Sequence, residues 1–388
     1  MNSKGNLMKS IKALVTPELL EWARTAAGYS VEQVAKKLKI PTESLRKIEK
    51  GNDQLTIPQL RKIADLYKRP TAIFYLDKVP ELSKIPDFRA GPDIAELTPH
   101  AEYFLRYIRE LRQNAVDIFQ LMHKEPSYDF IGSFSVDDDP EIAAQNVKEC
   151  LNYDKEEFDK IKDPAKTFKY WREKIELKNI LVFQIGKIDP SIYHGFVYAE
   201  TPVPVIAVNQ NDLVEARSFT LIHEFCHVIL NKSGICNPFF SKSHDDNRVE
   251  RFCQRVAAAT LMAKDDAIKE FSVMQDNLST NAVSIFAKKF KTSYTATLIR
   301  LHELGLIDDA AREKLQLPLA KSPKVDEKGG NFYNNYLAKM SPSYLHLVFE
   351  AADEDLVHYG EVVRFLGLKL EKINNLRDRL EAGGILAP

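Results

Sequence analysis

The sequence predicts an α+β chain that is predominantly helical: a helix-turn-helix bundle at the N-terminus, a middle domain with a small sheet, and a helical C-terminal region. Three observations predict it. Apolar residues recur at helical spacing through most of the 388 residues. Strand-like runs crowd into one stretch, ILVFQIG, HGFVYAE and VPVIAVN. Short helices separated by tight turns fill the first 76 residues. Length allows two or three domains, and the shifts in pattern place segments at 10–76, 77–125, 126–310 and 311–388.

Taken in order, Pro17 to Ala27 is a helix with Leu20, Ala23 and Ala27 on one face and Gly28 as its stop. Ser30 caps SVEQVAKKL, with Glu32 and Gln33 in its first turn. The turn Lys39-Ile40-Pro41 leads into TESLRKIEK, stopped by Gly51. In IPQLRKIADLY, Ile57, Leu60, Ile63, Ala64 and Tyr67 fall at helical spacing, and Pro70 then opens TAIFYL. Residues 77–97 form a connector carrying Pro80, Pro86 and Pro92. A long amphipathic helix runs from Pro99 to Met122, with Tyr103, Ile108, Leu111, Ala115 and Ile118 among its apolar positions. EIAAQNVKECL and TFKYWREKIEL are further helices, followed by the three strands. Helices are expected again at 213–231, 246–262, 264–272, 280–289 and 294–304. A polar, Gly-bearing stretch at 318–331 precedes a final helical region.

With 44% hydrophobic and 28% charged residues, the composition is that of a globular protein and not a disordered one. The net charge of −1 is unevenly spread. Residues 1–80 hold 15 Lys and Arg against 8 Asp and Glu, a net of +7, and the remainder carries −8. A basic head on an acidic body places polyanion binding at the front. No run of about 18 apolar residues exists to span a membrane. The start, MNSKGNLMKSIKALV, has neither a long apolar region nor a small-residue cleavage site, which argues against secretion. Cys150, Cys226, Cys236 and Cys253 are scattered without a CxxC pair and fit a reducing cytoplasm.

The segment EARSFTLIHEFCHVIL contains His-Glu-x-x-His. Residues four apart on a helix lie about 40° apart, so His223 and His227 project from one face, one turn apart. That presents two imidazoles to a shared Zn²⁺, with Mn²⁺ as the alternative ion. Glu224 lies about 100° round the helix from His223, where it reaches a water in an open metal position as a general base. A peptidase zinc needs a third protein ligand. Glu250 stands near the start of NRVERFCQRVAAATLM, and Ala257, Ala258 and Ala259 let that helix pack close to the first. Asp245 and Asp246 are rival carboxylates, and His244 is a rival imidazole or a transition-state donor. Cys226 and Cys253 read as buried thiols, with a soft-ligand role as the alternative. The strand VPVIAVN just before the metal helix is a candidate edge for an extended substrate.

The stretch from Gly195 to His227 resembles the core of the ImmA/IrrE metallopeptidases. It has Gly195-Phe196, Pro204, Ile206-Ala207-Val208-Asn209 and then Arg217 through His227. The family's second motif, Glu-x-x-Ala-Asn-x-Phe-Ala, supplies the Glu that completes its zinc site. Here Glu250 and Ala257 are kept, while Cys253, Gln254 and Val256 replace Ala, Asn and Phe. The Pro that often follows is Ala263. The resemblance implies a zincin-like α+β metallopeptidase domain, Glu250 as third ligand, and cleavage of a partner transcriptional repressor, as in several members. Residues 14–80, with IEKG and the later IPDFR, look like the XRE-type helix-turn-helix of longer members, and YLHLVFEAADEDLVHYGEVVRFLGLK looks like their tail.

In such a head Ala35 is the small residue where the two helices cross, and Lys39 occupies a turn position that favours Gly, at a cost of about 1 kcal/mol. Leu45 and Ile48 face inward from a recognition helix Thr42–Lys50. Thr42, Ser44, Arg46 and Lys47 are left for groove edges and phosphates of double-stranded DNA, and Gln33 reaches a phosphate. Glu43 and Glu49 repel phosphate unless Glu49 has an internal partner. The competing reading is a bundle that docks a protein. A second segment, SIFAKKFKTSYTATLIRLHELGLI, has the same rhythm but lies inside the peptidase region, which favours a structural role.

Two functions follow. One is a DNA-binding regulator fused to a zinc endopeptidase that cuts a repressor or antitoxin-like protein, with a homodimer on two half-sites as the usual mode for such heads. The other is a transcription regulator or antitoxin-type protein whose metal site is silent or structural. Structural zinc needs ligands but no neighbouring carboxylate, so the presence of Glu224 favours the first.

Overall fold

A computed structural model describes residues 11–80, 97–236, 246–274, 278–316 and 331–382. Two compact units divide it: residues 11–80 and 97–107 belong to the first, and those from Ile108 on to the second. The connector prolines Pro86 and Pro92, the IPDFR phrase and most of the polar stretch 318–331 lie outside the described residues.

The first unit is the helical bundle the sequence predicts. Helix α1 (Pro17–Thr25) begins on a proline and is followed by Gly28 at φ +70°. Helix α2 (Val31–Leu38) opens on a reciprocal box: Ser30 Oγ accepts from the Gln33 N–H, and Gln33 Oε1 accepts from the Ser30 N–H. Lys39 ends it in the left-handed region at φ 56°, the strained turn the sequence implies. Helix α3 (Thr42–Glu49) follows, then α4 (Ile57–Tyr67), which Thr56 and Gln59 cap in the same way. TAIFY forms a short 3-10 helix. Leu20, Val34, Ala35, Leu45, Ile48, Leu60, Ile63, Tyr67 and Phe74 make the core. Glu49 does have an internal partner. Arg24 Nε donates to its Oε1 at 2.7 Å and Arg24 Nη2 to its Oε2 at 3.0 Å, and both side chains are buried. The pair ties α1 to α3 and removes a carboxylate from the surface of α3.

Helix α5 (Pro99–Leu121) runs from the first unit into the second, burying Ala101, Leu105, Ile108, Leu111, Ala115 and Ile118. In the second unit come α6 (Pro140–Cys150), α7 (Lys155–Lys160) and α8 (Pro164–Glu176), each started by an aspartate whose carboxylate accepts a first-turn N–H. Next are β1 (Leu181–Ile185), β2 (Gly195–Tyr198), β3 (Val205–Asn209), α9 (Val214–Ile229) and β4 (Gly234–Cys236). The remaining helices are α10 (Asp246–Leu261), α11 (Lys264–Val273), α12 (Thr280–Phe290), α13 (Tyr294–Glu303), α14 (Asp309–Leu315), α15 (Phe332–Lys339), α16 (Pro342–Asp353), α17 (Tyr359–Leu366) and α18 (Leu370–Ala382).

The strands pair in the order β1-β3-β2-β4, parallel between β1 and β3 and antiparallel elsewhere. The short β4 is the strand the sequence pattern does not reveal: three residues, one of them glycine, carry too little period. The strand order changes one expectation. β3, the VPVIAVN strand, is hydrogen-bonded on both sides, so it offers no edge to a substrate. Nearly every strand residue is buried, because helices cover both faces. Arg172 of α8 locks the last helices onto this core. Its guanidinium donates to the carbonyls of Val182, Ala338 and Met340 and pairs with Glu176, whose other oxygen accepts the Ser343 N–H. The helix-turn-helix rhythm at α12–α13 proves structural. Lys291 takes the left-handed turn at φ 54°, but α13 buries Ala296, Thr297, Leu298, Arg300 and Leu301, and Arg300 is tied to the Met262 carbonyl and to Glu141.

Removing one member of a buried ion pair strands the other. Glu49→Ala is therefore expected to cost the first unit about 3 kcal/mol, measured by urea unfolding of the full chain, with Arg24→Met plus Glu49→Leu recovering most of it. An unfolding midpoint for Glu49→Ala equal to wild type would show that the pair anchors nothing.

Candidate functional site

Helix α9 carries His223, Glu224 and His227 through the interior of the second unit, and all three are fully buried. Helix α10 packs along it, and its Cys253, Val256 and Ala257 join the same core as Phe225, Cys226 and Ile229 of α9. Small side chains on α10 allow the close approach that the alanine run predicts. The approach brings Glu250 to the histidines. His223 Nε2 lies 3.2 Å from Glu250 Oε2, His227 Nε2 lies 3.0 Å from Glu250 Oε1, and the two Nε2 atoms are 3.2 Å apart. Among the described residues this is the one group of three or more His, Cys, Asp or Glu side chains able to share an ion.

The electrostatics suit that use. Burial drives His223 below its ordinary pKa, against the pull of Glu250. Burial alone would raise Glu250, but attraction to His227 and His223 and their hydrogen bonds outweigh it and hold the carboxyl below the usual carboxylate range. An ionised carboxylate facing an unprotonated imidazole is the state a divalent cation requires of its ligands. Tetrahedral ligands at 2.0–2.1 Å from an ion are about 3.3 Å from one another. The separations of 3.0 to 3.2 Å among these three fit that figure closely.

Glu224 points elsewhere. A Cβ built on Gly195 at the start of β2 would stand 2.8 Å from Glu224 Oε1, 2.8 Å from Thr220 Cγ2 and 3.1 Å from the Ala207 carbonyl oxygen. Only glycine leaves that carboxylate room against the strand. Cys226 and Cys253 are free and buried, and burial pushes both thiols up; neither joins the ion-holding group. Of the rival ligands, His244 and Asp245 lie outside the described residues, as does the side chain of Asp246. Sequence reasoning missed a second polar pair, His194 and Asp212, with His194 Nδ1 2.6 Å from Asp212 Oδ2 and both residues buried. No spacing rule joins residues 18 apart across a strand and a loop.

In the first unit, Arg46 and Lys47 are exposed on α3, and Thr42 and Ser44 are half-buried there. Arg46 Nη2 rests 2.7 Å from Glu32 Oε1. Gln33 is exposed, but its Oε1 is committed to the Ser30 cap, so only its amide NH₂ is left to face a phosphate.

Residues 178–302 match the family model for the IrrE N-terminal-like domain, a peptidase family, and residues 20–74 match a helix-turn-helix family. No curated protein matches the chain. The chain thus carries a helix-turn-helix domain fused to an IrrE-like peptidase domain, and among its described residues no helix is long and apolar enough to cross a membrane.

Gly195→Ala is expected to lower stability by about 1–3 kcal/mol, because the new methyl meets both Glu224 and backbone. Gly360→Ala, with nothing within 4 Å, serves as the neutral control. Thermal melts of the two variants compare them directly, and equal melting temperatures would refute the close approach.

Proposed function

We propose that this chain is a cytoplasmic DNA-binding regulator whose zinc endopeptidase site cleaves a partner transcriptional repressor. The observation that carries the reading is the convergence of His223, His227 and Glu250 from two helices in a dry interior, with Glu224 one residue along. Two imidazoles and one carboxylate suit Zn²⁺, with Mn²⁺ an alternative. A divalent ion held there supplies Lewis-acid activation of water and of a peptide carbonyl.

The chain's own residues do the rest. Glu224, held beside β2, takes the proton from the attacking water and returns it to the leaving amine nitrogen. Its buried place keeps bulk water from competing for that proton. The α3 residues Thr42, Ser44, Arg46 and Lys47, with Gln33, bring the molecule to an operator. A protease tethered near a repressor's own site meets it at a raised effective concentration, without new contacts between the two. A homodimer would place two such heads on half-sites about 34 Å apart.

Glu224→Gln should retain about one zinc per chain and full duplex affinity while cleaving a co-encoded repressor about 10³-fold more slowly. His227→Ala should lose the zinc. A wild type that, loaded with zinc or manganese, cuts no co-encoded protein would instead favour a regulator with a silent metal site.

Duplex binding is separable. Arg46→Ala with Lys47→Ala should weaken it and reduce the slope of log K against log salt by about 2. Unchanged affinity and slope in a filter-binding or anisotropy titration would move the interface away from α3, and absent duplex binding by the wild type at low salt would favour protein docking.

A further inference from the structure

A basic cavity of about 280 Å³ lies in the second unit, and none of its walls belongs to the ion-holding group. It is lined by Lys148 of α6, Lys155 of α7, Lys269 of α11, Lys289 of α12 and Lys291 in the turn after α12. Three carboxylates share it, Asp159, Asp266 and Glu270, so five cations against three anions leave a net +2. That excess sits in a body that carries −8 beyond residue 80. Pairing is uneven. Lys155 Nζ donates to Asp266 Oδ2 at 2.9 Å, and Lys289 Nζ donates to Glu270 Oε2. Lys291 Nζ lies 3.9 Å from Asp159 Oδ1, beyond hydrogen-bond reach. Lys148 Nζ meets no carboxylate within 4 Å among the described residues. These two ammoniums rest on aromatic faces instead, Lys148 5.2 Å above the Tyr153 ring and Lys291 4.2 Å above the Phe158 ring. Both side chains are half-buried, and burial holds both ammoniums below the ordinary lysine range. A ring face returns part of the cost of desolvating a cation, but it offers no oxygen to the three N–H donors.

We propose that this cavity is a binding site for a small phosphate anion, free or as a monoester, with Lys148 and Lys291 donating to its oxygens. A dianion matches the net +2 of the walls and brings acceptors for both ammoniums. The cations of the cavity are all lysines. Lysine meets phosphate as a mobile point charge, whereas the planar fork of arginine is the better match to a carboxylate. The volume falls just below that of pockets for drug-sized ligands, which suits a compact ion. The site is independent of the peptidase reading.

The test is a ³¹P NMR titration of the full chain with inorganic phosphate, and separately with glycerol 3-phosphate, in chloride buffer of constant ionic strength. Wild type should show one saturable site, and the probe that binds more tightly tells the free ion from the ester. Lys148→Met with Lys291→Met should weaken that site about 10²-fold, at about tenfold for each charge-assisted hydrogen bond lost. Lys148→Gln alone, a milder demand on the fold, should weaken it about tenfold. Lys232→Met with Lys314→Met, which removes two exposed charges outside the cavity, should leave it unchanged. In phosphate-free buffer the Lys148 and Lys291 double variant should melt no lower than wild type, because two desolvated cations have gone; lysines that served only as tethers to the rings would make it melt lower. No saturable binding of either probe by wild type overturns the site. Binding that survives unchanged in Lys148→Gln and in the double variant overturns it equally, by placing the anion on another basic surface.

Discussion

The Glu250 carboxylate meets two imidazoles where water does not reach, and the second unit is organised around making that meeting tolerable. A buried carboxylate is costly by itself, because desolvation takes several kcal/mol that its two imidazole neighbours must offset. The protein accepts the arrangement by holding α9 and α10 rigidly against one another. Alanines and a cysteine let the helices close, the sheet covers one side of α9, and α8 covers another part of it. The same packing puts Glu224 against β2, where a side chain larger than hydrogen at residue 195 has no room. Ligand geometry and base placement are thus consequences of a single close helix–helix and helix–strand fit.

Much of this was legible in the sequence because it is written in local periods. Four-residue spacing sets His223 and His227 on one face, and the alanine run on α10 announces close packing. The caps at Ser30 and Thr56 are equally local. What escaped was long-range. β4 is too short to carry a period, and chain order does not reveal that β3 sits between β1 and β2. The Asp212–His194 contact joins a loop to a strand end and follows no spacing rule. Gln33 shows a milder limit: its polar character was plain, but the helix cap claims half of its side chain.

The chain uses one backbone device twice with different outcomes. Both α2–α3 and α12–α13 turn through a lysine in the left-handed region, at φ 56° and 54°. In the first unit the following helix keeps Arg46 and Lys47 exposed. In the second, the following helix is absorbed into the core, with Arg300 spent on the Met262 carbonyl and Glu141. Identical local geometry leaves the role to be decided by what the helix packs against.

The way Arg172 is satisfied has a bearing on where this peptidase domain ends as an inherited module and where it ends as an object that folds. The family match stops at residue 302, yet the carbonyls of Ala338 and Met340 complete the hydrogen bonding of a guanidinium on α8, and Ser343 completes Glu176. Ala338 also takes the amide of Gln184, on the outermost strand of the sheet. Cutting the chain at the boundary of recognisable ancestry would strip those acceptors and leave a cation in the interior with half its partners. The hydrogen-bonded scaffold is longer than the matched segment. The C-terminal helices are part of the scaffold that holds α8 and β1 in place.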